Sequence, residues 1–181
     1  MNRNPFSINF GKIPSQYISR DIIVEEIIEE LTDPNAQNPC FMLTGARGSG
    51  KTVMMTSIEK RISEYDDFII VRLNPTRDML TGLVAKLYDT GDFLTKFIDA
   101  NLNLSAFGIG IGISTKPPIA DIESALERIL QEAKRKHKKI LVTVDEVSKT
   151  ESMREFASSF QIMIRSDYPI YIIMAGLYQN I

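Results

Sequence analysis

The chain has 181 residues, of which 44% are hydrophobic and 24% are charged, and its formal net charge at pH 7 is −2. These values are typical of one globular domain, and so small a charge gives no reason from composition to expect nucleic acid or an anionic membrane as a partner. A single cysteine excludes an intramolecular disulfide, no apolar run approaches the length of a membrane-spanning helix, and no secretory signal is recognisable. We therefore expect a cytoplasmic protein without a membrane partner.

Apolar residues recur along the chain in two alternating patterns. Helical spacing predicts helices at about residues 20–32, 50–65, 79–88, 93–102, 119–137 and 151–165. Short apolar runs predict buried strands at residues 40–44, 68–73, 140–144 and 170–175. Strands that alternate with helices indicate an α/β fold, in which a mostly parallel sheet lies between two layers of helices.

Two segments fall outside this alternation. Residues 1–18 form an irregular N-terminal segment that is punctuated by glycine and proline. An insert at about residues 103–116 contains a strict alternation of glycine and isoleucine from Gly108 to Ile113. Alternation with period two predicts a small hairpin packed on the helices. The alternative interpretation is a flexible arm that contacts a partner or a polymer.

The turn after the first strand reads GARGSGKT and matches the phosphate-binding loop (P-loop, or Walker A) pattern G-x-x-x-x-G-K-[ST]. Its glycines let the backbone curl with its N–H groups pointing inward, and the following helix N-terminus favours an anion. We predict that Lys51 reaches the β- and γ-phosphates of ATP or ADP and that the Thr52 hydroxyl binds Mg²⁺. The predicted nucleotide-binding residues are Gly45, Ala46, Arg47, Gly48, Ser49, Gly50, Lys51, Thr52 and Val53.

Two acidic residues follow the third predicted strand directly. Asp145 comes at the carboxyl end of the strand, where open α/β sheets bind ligands, and fits the Walker B role of a second Mg²⁺ ligand. Glu146 is the candidate base that polarises the attacking water. Together with Lys51, Glu146 is predicted to be catalytic. The alternative is that both acids only cap a helix after a core strand.

These motifs resemble the AAA+ ATPases of the initiator-like branch, which is related to origin-recognition ATPases, and more narrowly the bacterial ATPases of the AAA-16 type. The resemblance covers nearly the whole chain and rests on NPFSINFGKIPSQYISRD, LTGARGSGKTVMM, LVTVDEV and MAGL. It implies the three-layer sandwich of a P-loop NTPase, here the AAA+ nucleotide-binding subdomain. It also implies that the N-terminal segment packs near the base, so that Tyr17 and Ile18 line an adenine pocket.

The chain departs from the family near its end. Relatives place a polar sensor residue at the end of the fourth strand, where this chain has Ala175 and Gly176, and Gln179 or Asn180 are the candidate substitutes. Relatives then continue with a fifth strand, an arginine finger, a helical lid and often a DNA-binding module. The resemblance therefore implies that residues 1–181 are the N-terminal nucleotide-binding subdomain of a longer protein, truncated after the fourth core strand, and that this piece hydrolyses ATP very slowly.

Two functions from different classes remain open at this point. The first is Mg²⁺-dependent ATP hydrolysis that drives a conformational change in the longer protein, with DNA and further copies of the chain as candidate partners. The second is a nucleotide-gated switch or DNA-binding regulator with negligible turnover. The Asp145–Glu146 pair favours the enzyme, and the missing polar sensor favours the switch.

The basic run from Lys134 to Lys139 is either a solvated helix end or a patch that contacts DNA.

Overall fold

The computed structural model describes residues 21–35, 38–90, 93–109, 118 and 121–177. Its helices are α1 (Asp21–Thr32), α2 (Lys51–Ile62), α3 (Met79–Tyr88), α4 (Phe93–Asn101), α5 (Ile122–Arg135) and α6 (Glu151–Arg165). Its strands are β1 (Cys40–Thr44), β2 (Phe68–Leu73), β3 (Lys139–Val147) and β4 (Ile170–Gly176). The predicted order of elements is confirmed, although α2 ends earlier than expected and β3 continues beyond its predicted end.

The four strands form one sheet in the order β1-β4-β3-β2, and every described pair of neighbouring strands is parallel. The predicted parallel sheet is therefore confirmed. Because the strands share one direction, their carboxyl ends meet at a single edge of the sheet. The turn before α2 and the acidic pair at the end of β3 lie at this edge.

Two apolar clusters, one on each face of the sheet, hold the helices. Helices α1 and α2 pack on one face in a cluster that includes Leu141 of β3. Helices α3 to α6 pack on the other face, in a larger cluster that includes Ile140, Val142 and Val144 of the same strand. Successive residues of a strand point to opposite faces, so β3 contributes to both clusters. The predicted three-layer sandwich is confirmed.

Strand β1 differs from the prediction of a buried strand. Only Leu43 of its five residues is buried, whereas Cys40, Met42 and Thr44 are exposed. The reason is its place in the sheet, since within the described residues β1 pairs with β4 alone. An apolar run in the sequence does not distinguish a strand at the edge from one at the centre.

The insert begins differently from the predicted hairpin. Ser105–Phe107 forms one turn of 3₁₀-helix, and Gly108 follows in the left-handed conformation, with φ of 70°. Ile109 is buried against the larger apolar cluster. The segment before the alternation is therefore helical, and the alternating segment itself is described only as far as Ile109. Residues 110–117, which carry the rest of the predicted hairpin, and the N-terminal segment 1–18 lie outside the described residues.

The basic run at the end of α5 contacts the protein itself. Four of its side chains take part: Lys134 binds the Asp167 carboxylate, Arg135 binds Glu132, Lys138 donates to the Asp66 carbonyl, and Lys139 lies over the Phe68 ring. The hydrogen bond from Arg135 also lowers the pKa of the Glu132 carboxyl. These contacts favour the interpretation of the run as a helix end.

None of the helices described here has the length and apolar character that a membrane crossing requires.

Candidate functional site

Two glycines shape the turn that joins β1 to α2. Gly48 and Gly50 have φ of 77° and 84°, a left-handed conformation that residues with a Cβ adopt only at a cost. Gly50 is the N-cap residue of α2 and supplies no side-chain hydrogen bond to the helix. The first N–H groups of a helix have no partner within the helix. The start of α2 is therefore suited to bind an anion, as the P-loop prediction requires.

A buried hydroxyl without a partner lies inside this turn. Ser49 Oγ is shielded from solvent and is the only buried side-chain oxygen or nitrogen in the described part of the chain that makes no hydrogen bond. A Cβ placed on Gly45 would lie 2.7 Å from this oxygen. A buried hydroxyl usually finds a hydrogen-bond partner. The unused hydrogen-bonding capacity of Ser49 and the absence of a side chain at Gly45 therefore fit a turn built around a phosphate group.

The ammonium group of Lys51 folds back on the turn. Lys51 Nζ donates hydrogen bonds to the carbonyl oxygens of Gly45 at 3.0 Å and Ala46 at 2.9 Å. A phosphate oxygen is a stronger partner for an ammonium group than a carbonyl oxygen, because both groups then carry charge. Lys51 is therefore held at the mouth of the turn by bonds that it can exchange for bonds to a phosphate.

The two predicted metal ligands are in direct contact. Thr52 Oγ1 donates a hydrogen bond of 2.6 Å to Asp145 Oδ2, although the residues lie on different elements, α2 and β3. Asp145 is half-buried and Thr52 is exposed, so the pair opens towards solvent. Mg²⁺ prefers oxygen ligands and is commonly held by one or two carboxylates together with phosphate oxygens and water. The pair could supply two such oxygens to a metal.

Glu146 lies in a bulge of β3. The register between β3 and β4 shifts between Val144 and Val147, and Glu146 within this shift has φ of 56°. Its N–H donates a hydrogen bond of 2.8 Å to Asp145 Oδ1, and its side chain is exposed. A left-handed conformation costs a residue with a Cβ about 1–2 kcal/mol, and bulges are frequent beside active sites. The bulge turns Glu146 out of the regular alternation of the strand.

The remaining predicted site residues have less defined positions. Ala46 and Arg47 are exposed on the turn, and Val53 is half-buried in the first turn of α2. Tyr17 and Ile18, the candidates for the adenine pocket, lie outside the described residues. The contacts above therefore concern the phosphate and metal end of the predicted site.

One residue near the site was missed by the sequence analysis. Glu59 of α2 is only 5% exposed and hydrogen-bonds to side chains of β2 and β3. It lies seven residues after Thr52, which places both on the same side of the helix. That spacing, in a helix whose neighbouring positions are apolar, is the signal that could have identified it.

Comparisons with known proteins agree with this geometry. A family model described as an ATPase domain predominantly from Archaea matches residues 24–170. No curated protein is significantly similar to the chain. Among solved structures, Cdc6p from Pyrobaculum aerophilum aligns with a TM-score of 0.60 at 12% identity, over 94% of this chain and 42% of that one.

Two further solved structures align less well. PCH-2 from C. elegans has a TM-score of 0.46 at 13% identity, over 87% of this chain and 36% of that one. The Drosophila ORC bound to DNA has a TM-score of 0.46 at 18% identity, over 84% of this chain and 36% of that one. The chain thus spans less than half the length of each of the three proteins.

The family match is the most direct of these findings, since it extends from α1 to the first residue of β4 and includes both the turn and the acidic pair. The likeness to Cdc6p adds that the fold is shared. The resemblance to initiator-like AAA+ ATPases is therefore confirmed. The chain belongs to the family of ATPase domains that come predominantly from Archaea, and it shares the fold of Cdc6p.

Proposed function

We propose that this chain binds ATP and Mg²⁺ and hydrolyses the γ-phosphate bond, and that the cycle drives a conformational change in a longer protein. One observation carries the proposal: the Thr52 hydroxyl and the Asp145 carboxylate meet at 2.6 Å beside the P-loop turn. A hydroxyl and a carboxylate brought together from separate elements at the start of a helix are the donors expected of a nucleotide-bound Mg²⁺.

Each residue of the turn has a proposed role in binding. The N–H groups of residues 45–53 surround the phosphates, and the Ser49 hydroxyl supplies a further donor. Lys51 exchanges its two carbonyl partners for the β- and γ-phosphate oxygens and neutralises part of their charge. Positively charged or N–H donors that are already in place stabilise the charge that develops during phosphoryl transfer.

The chemical step is assigned to the carboxyl end of β3. Mg²⁺ held by Thr52 and Asp145 would neutralise charge on the phosphate oxygens. Glu146, next in the chain and exposed to solvent, orients a water molecule for attack and accepts its proton. The hydrogen bond from the Glu146 N–H to Asp145 Oδ1 helps to hold the Asp145 carboxylate in place.

The residues at the end of β4 favour a second function, a nucleotide-gated switch. This strand ends in Ala175 and Gly176, so neither residue brings a polar side chain to the position of the sensor in relatives. Within the described residues the end of β4 therefore offers no polar sensor, which suits a switch that holds ADP or ATP without turnover. DNA and further copies of the chain are proposed as partners of the longer protein, on the strength of the initiator-like fold.

Replacing Lys51 with alanine is expected to weaken ADP binding by about 10- to 100-fold, because a hydrogen bond to a charged group contributes about 1.5–3 kcal/mol. Fluorescence titration with a labelled ADP measures the affinity. The matched control is Lys60→Ala, which removes an exposed lysine from the same helix and leaves the turn unchanged. Equal affinities for the unchanged chain and Lys51→Ala would contradict the P-loop assignment.

A further inference from the structure

Glu59 of α2 is a buried carboxyl group for which the proposed reaction has no use. Its Oε1 accepts a hydrogen bond of 2.5 Å from Thr143 Oγ1 of β3, and its Oε2 accepts one of 2.8 Å from Arg72 Nε of β2. Thr143 is also buried, and it pairs with Arg72 in the register of the two strands. Glu59 therefore joins the helix to two neighbouring strands, and both of its oxygens are engaged.

The contact between Glu59 and Thr143 joins the same helix and strand as the contact between the predicted metal ligands, Thr52 and Asp145, but lies farther from the site. Thr52 and Glu59 are two helical turns apart on the same side of α2, a separation of about 10 Å. Thr143 and Asp145 are two residues apart on the same face of β3. The helix is thus attached to β3 at two polar points, Thr52 to Asp145 and Glu59 to Thr143.

The rest of the buried side of α2 is apolar. Its other buried residues are Met54, Met55, Ile58 and Ile62. Apolar contacts have no preferred direction, so they hold the helix on the sheet without selecting specific partner atoms. Hydrogen bonds require defined distances and angles. The bond between Glu59 and Thr143 therefore adds a directional restraint on the position of α2 along β3.

Stability alone is a weak reason for this carboxyl group to be buried. Removing a charged group from water costs free energy that its hydrogen bonds and its ion pair with Arg72 largely offset, so an apolar residue of similar size would serve the core about as well. A role in placing the helix explains why a carboxyl group is present at this position.

We propose that Glu59 is a positioning residue that, through Thr143, fixes α2 against β3 and so holds the Thr52 hydroxyl beside Asp145 for Mg²⁺. This inference rests on the proposed function, in which that pair binds the metal. It assigns no chemical step to Glu59, which acts through the placement of Thr52. Residues that orient metal ligands commonly change metal affinity by about 10- to 100-fold when they are replaced.

The test measures the affinity for labelled ADP in a series of Mg²⁺ concentrations and in EDTA. Thr143→Val removes the hydroxyl with little change of shape, and Glu59→Met removes both acceptor oxygens of the other partner at similar side-chain length. The quantity compared is the ratio of the ADP affinity with Mg²⁺ to the ADP affinity in EDTA. We expect this ratio to be at least about ten-fold smaller in both variants than in the unchanged chain, with the affinity in EDTA unchanged. Thr143→Ser, which restores a hydroxyl, should return to within about two-fold of the unchanged chain.

Val142→Ala is the control for stability, since Val142 lies on the same strand but faces the other layer of helices. It should lower the unfolding temperature and leave the dependence on Mg²⁺ unchanged. If Mg²⁺ raises the ADP affinity of the unchanged chain, of Thr143→Val and of Glu59→Met equally, the positioning role is wrong. If Mg²⁺ does not raise the affinity of the unchanged chain, the metal assignment of Thr52 and Asp145 fails, and this inference fails with it.

Discussion

Replacing Glu146 with glutamine is expected to lower the rate of ATP hydrolysis by about 10²–10⁴-fold, the usual contribution of a general base. Glutamine has nearly the same size as glutamate, but its amide group does not accept the proton of the attacking water. Single-turnover hydrolysis of radiolabelled ATP measures the rate, with and without duplex DNA. This format suits a domain whose unassisted turnover we expect to be slow.

Two comparisons separate the function of Glu146 from other effects. Glu155→Gln removes an exposed carboxylate from α6 and should leave the rate unchanged. ADP affinity should be the same in Glu146→Gln and in the unchanged chain, since the phosphates are bound by the turn. A rate that DNA raises would indicate a motor or loader type of ATPase. Equal rates in Glu146→Gln and the unchanged chain, with nucleotide retained, would contradict hydrolysis and support the switch.

Replacing Phe156 with alanine is expected to lower the free energy of unfolding by about 3–5 kcal/mol. Phe156 of α6 is 1% exposed, and its ring lies 5.7 Å from that of Phe160 within the larger apolar cluster. Alanine would remove most of this buried surface and leave a cavity, because a close-packed interior relaxes only partly around a missing ring. The loss is a large part of the 5–15 kcal/mol that stabilises a typical domain. Urea denaturation followed by circular dichroism measures it.

Ile162→Ala is the matched control for this prediction. Ile162 lies on the same helix but is 52% exposed, so its replacement should change the stability by less than about 0.5 kcal/mol. A similar loss in both variants would mean that α6 does not present Phe156 to the core. A small loss in both would mean that the larger apolar cluster adapts to the cavity.

The glycine-rich turn and the order of elements were predictable because the pattern of residues within each short stretch of sequence indicates them. GARGSGKT contains glycines at the positions where the turn is left-handed, Gly48 and Gly50. The apolar residues of α5 recur at helical spacing, and β3 is a continuous apolar run typical of a strand buried on both faces, which was enough to predict both elements. Such patterns report which sides of an element are buried. They contain no information about the neighbour that buries them.

The places where the prediction was wrong or incomplete depend on those neighbours. The apolar sequence of β1 predicted burial, but the strand lies at an edge of the described sheet. The bulge at Glu146 arises from the register between β3 and β4, and neither strand specifies that register alone. Ser105–Phe107 forms a helical turn between Leu104 and Ile109, which are both buried in the larger apolar cluster.

The sequence was sufficient to determine the class of the fold and the order of its elements, and it predicted a phosphate-binding turn and the acidic pair Asp145 and Glu146 from residue types at fixed spacing. The tertiary structure alone decided that Thr52 meets Asp145 across 93 residues of chain and that Glu59 meets Thr143 across 84. Contacts between residues so far apart arise only when the helix packs on the sheet. Strand order and packing, which no local pattern encodes, set the distances on which metal binding depends.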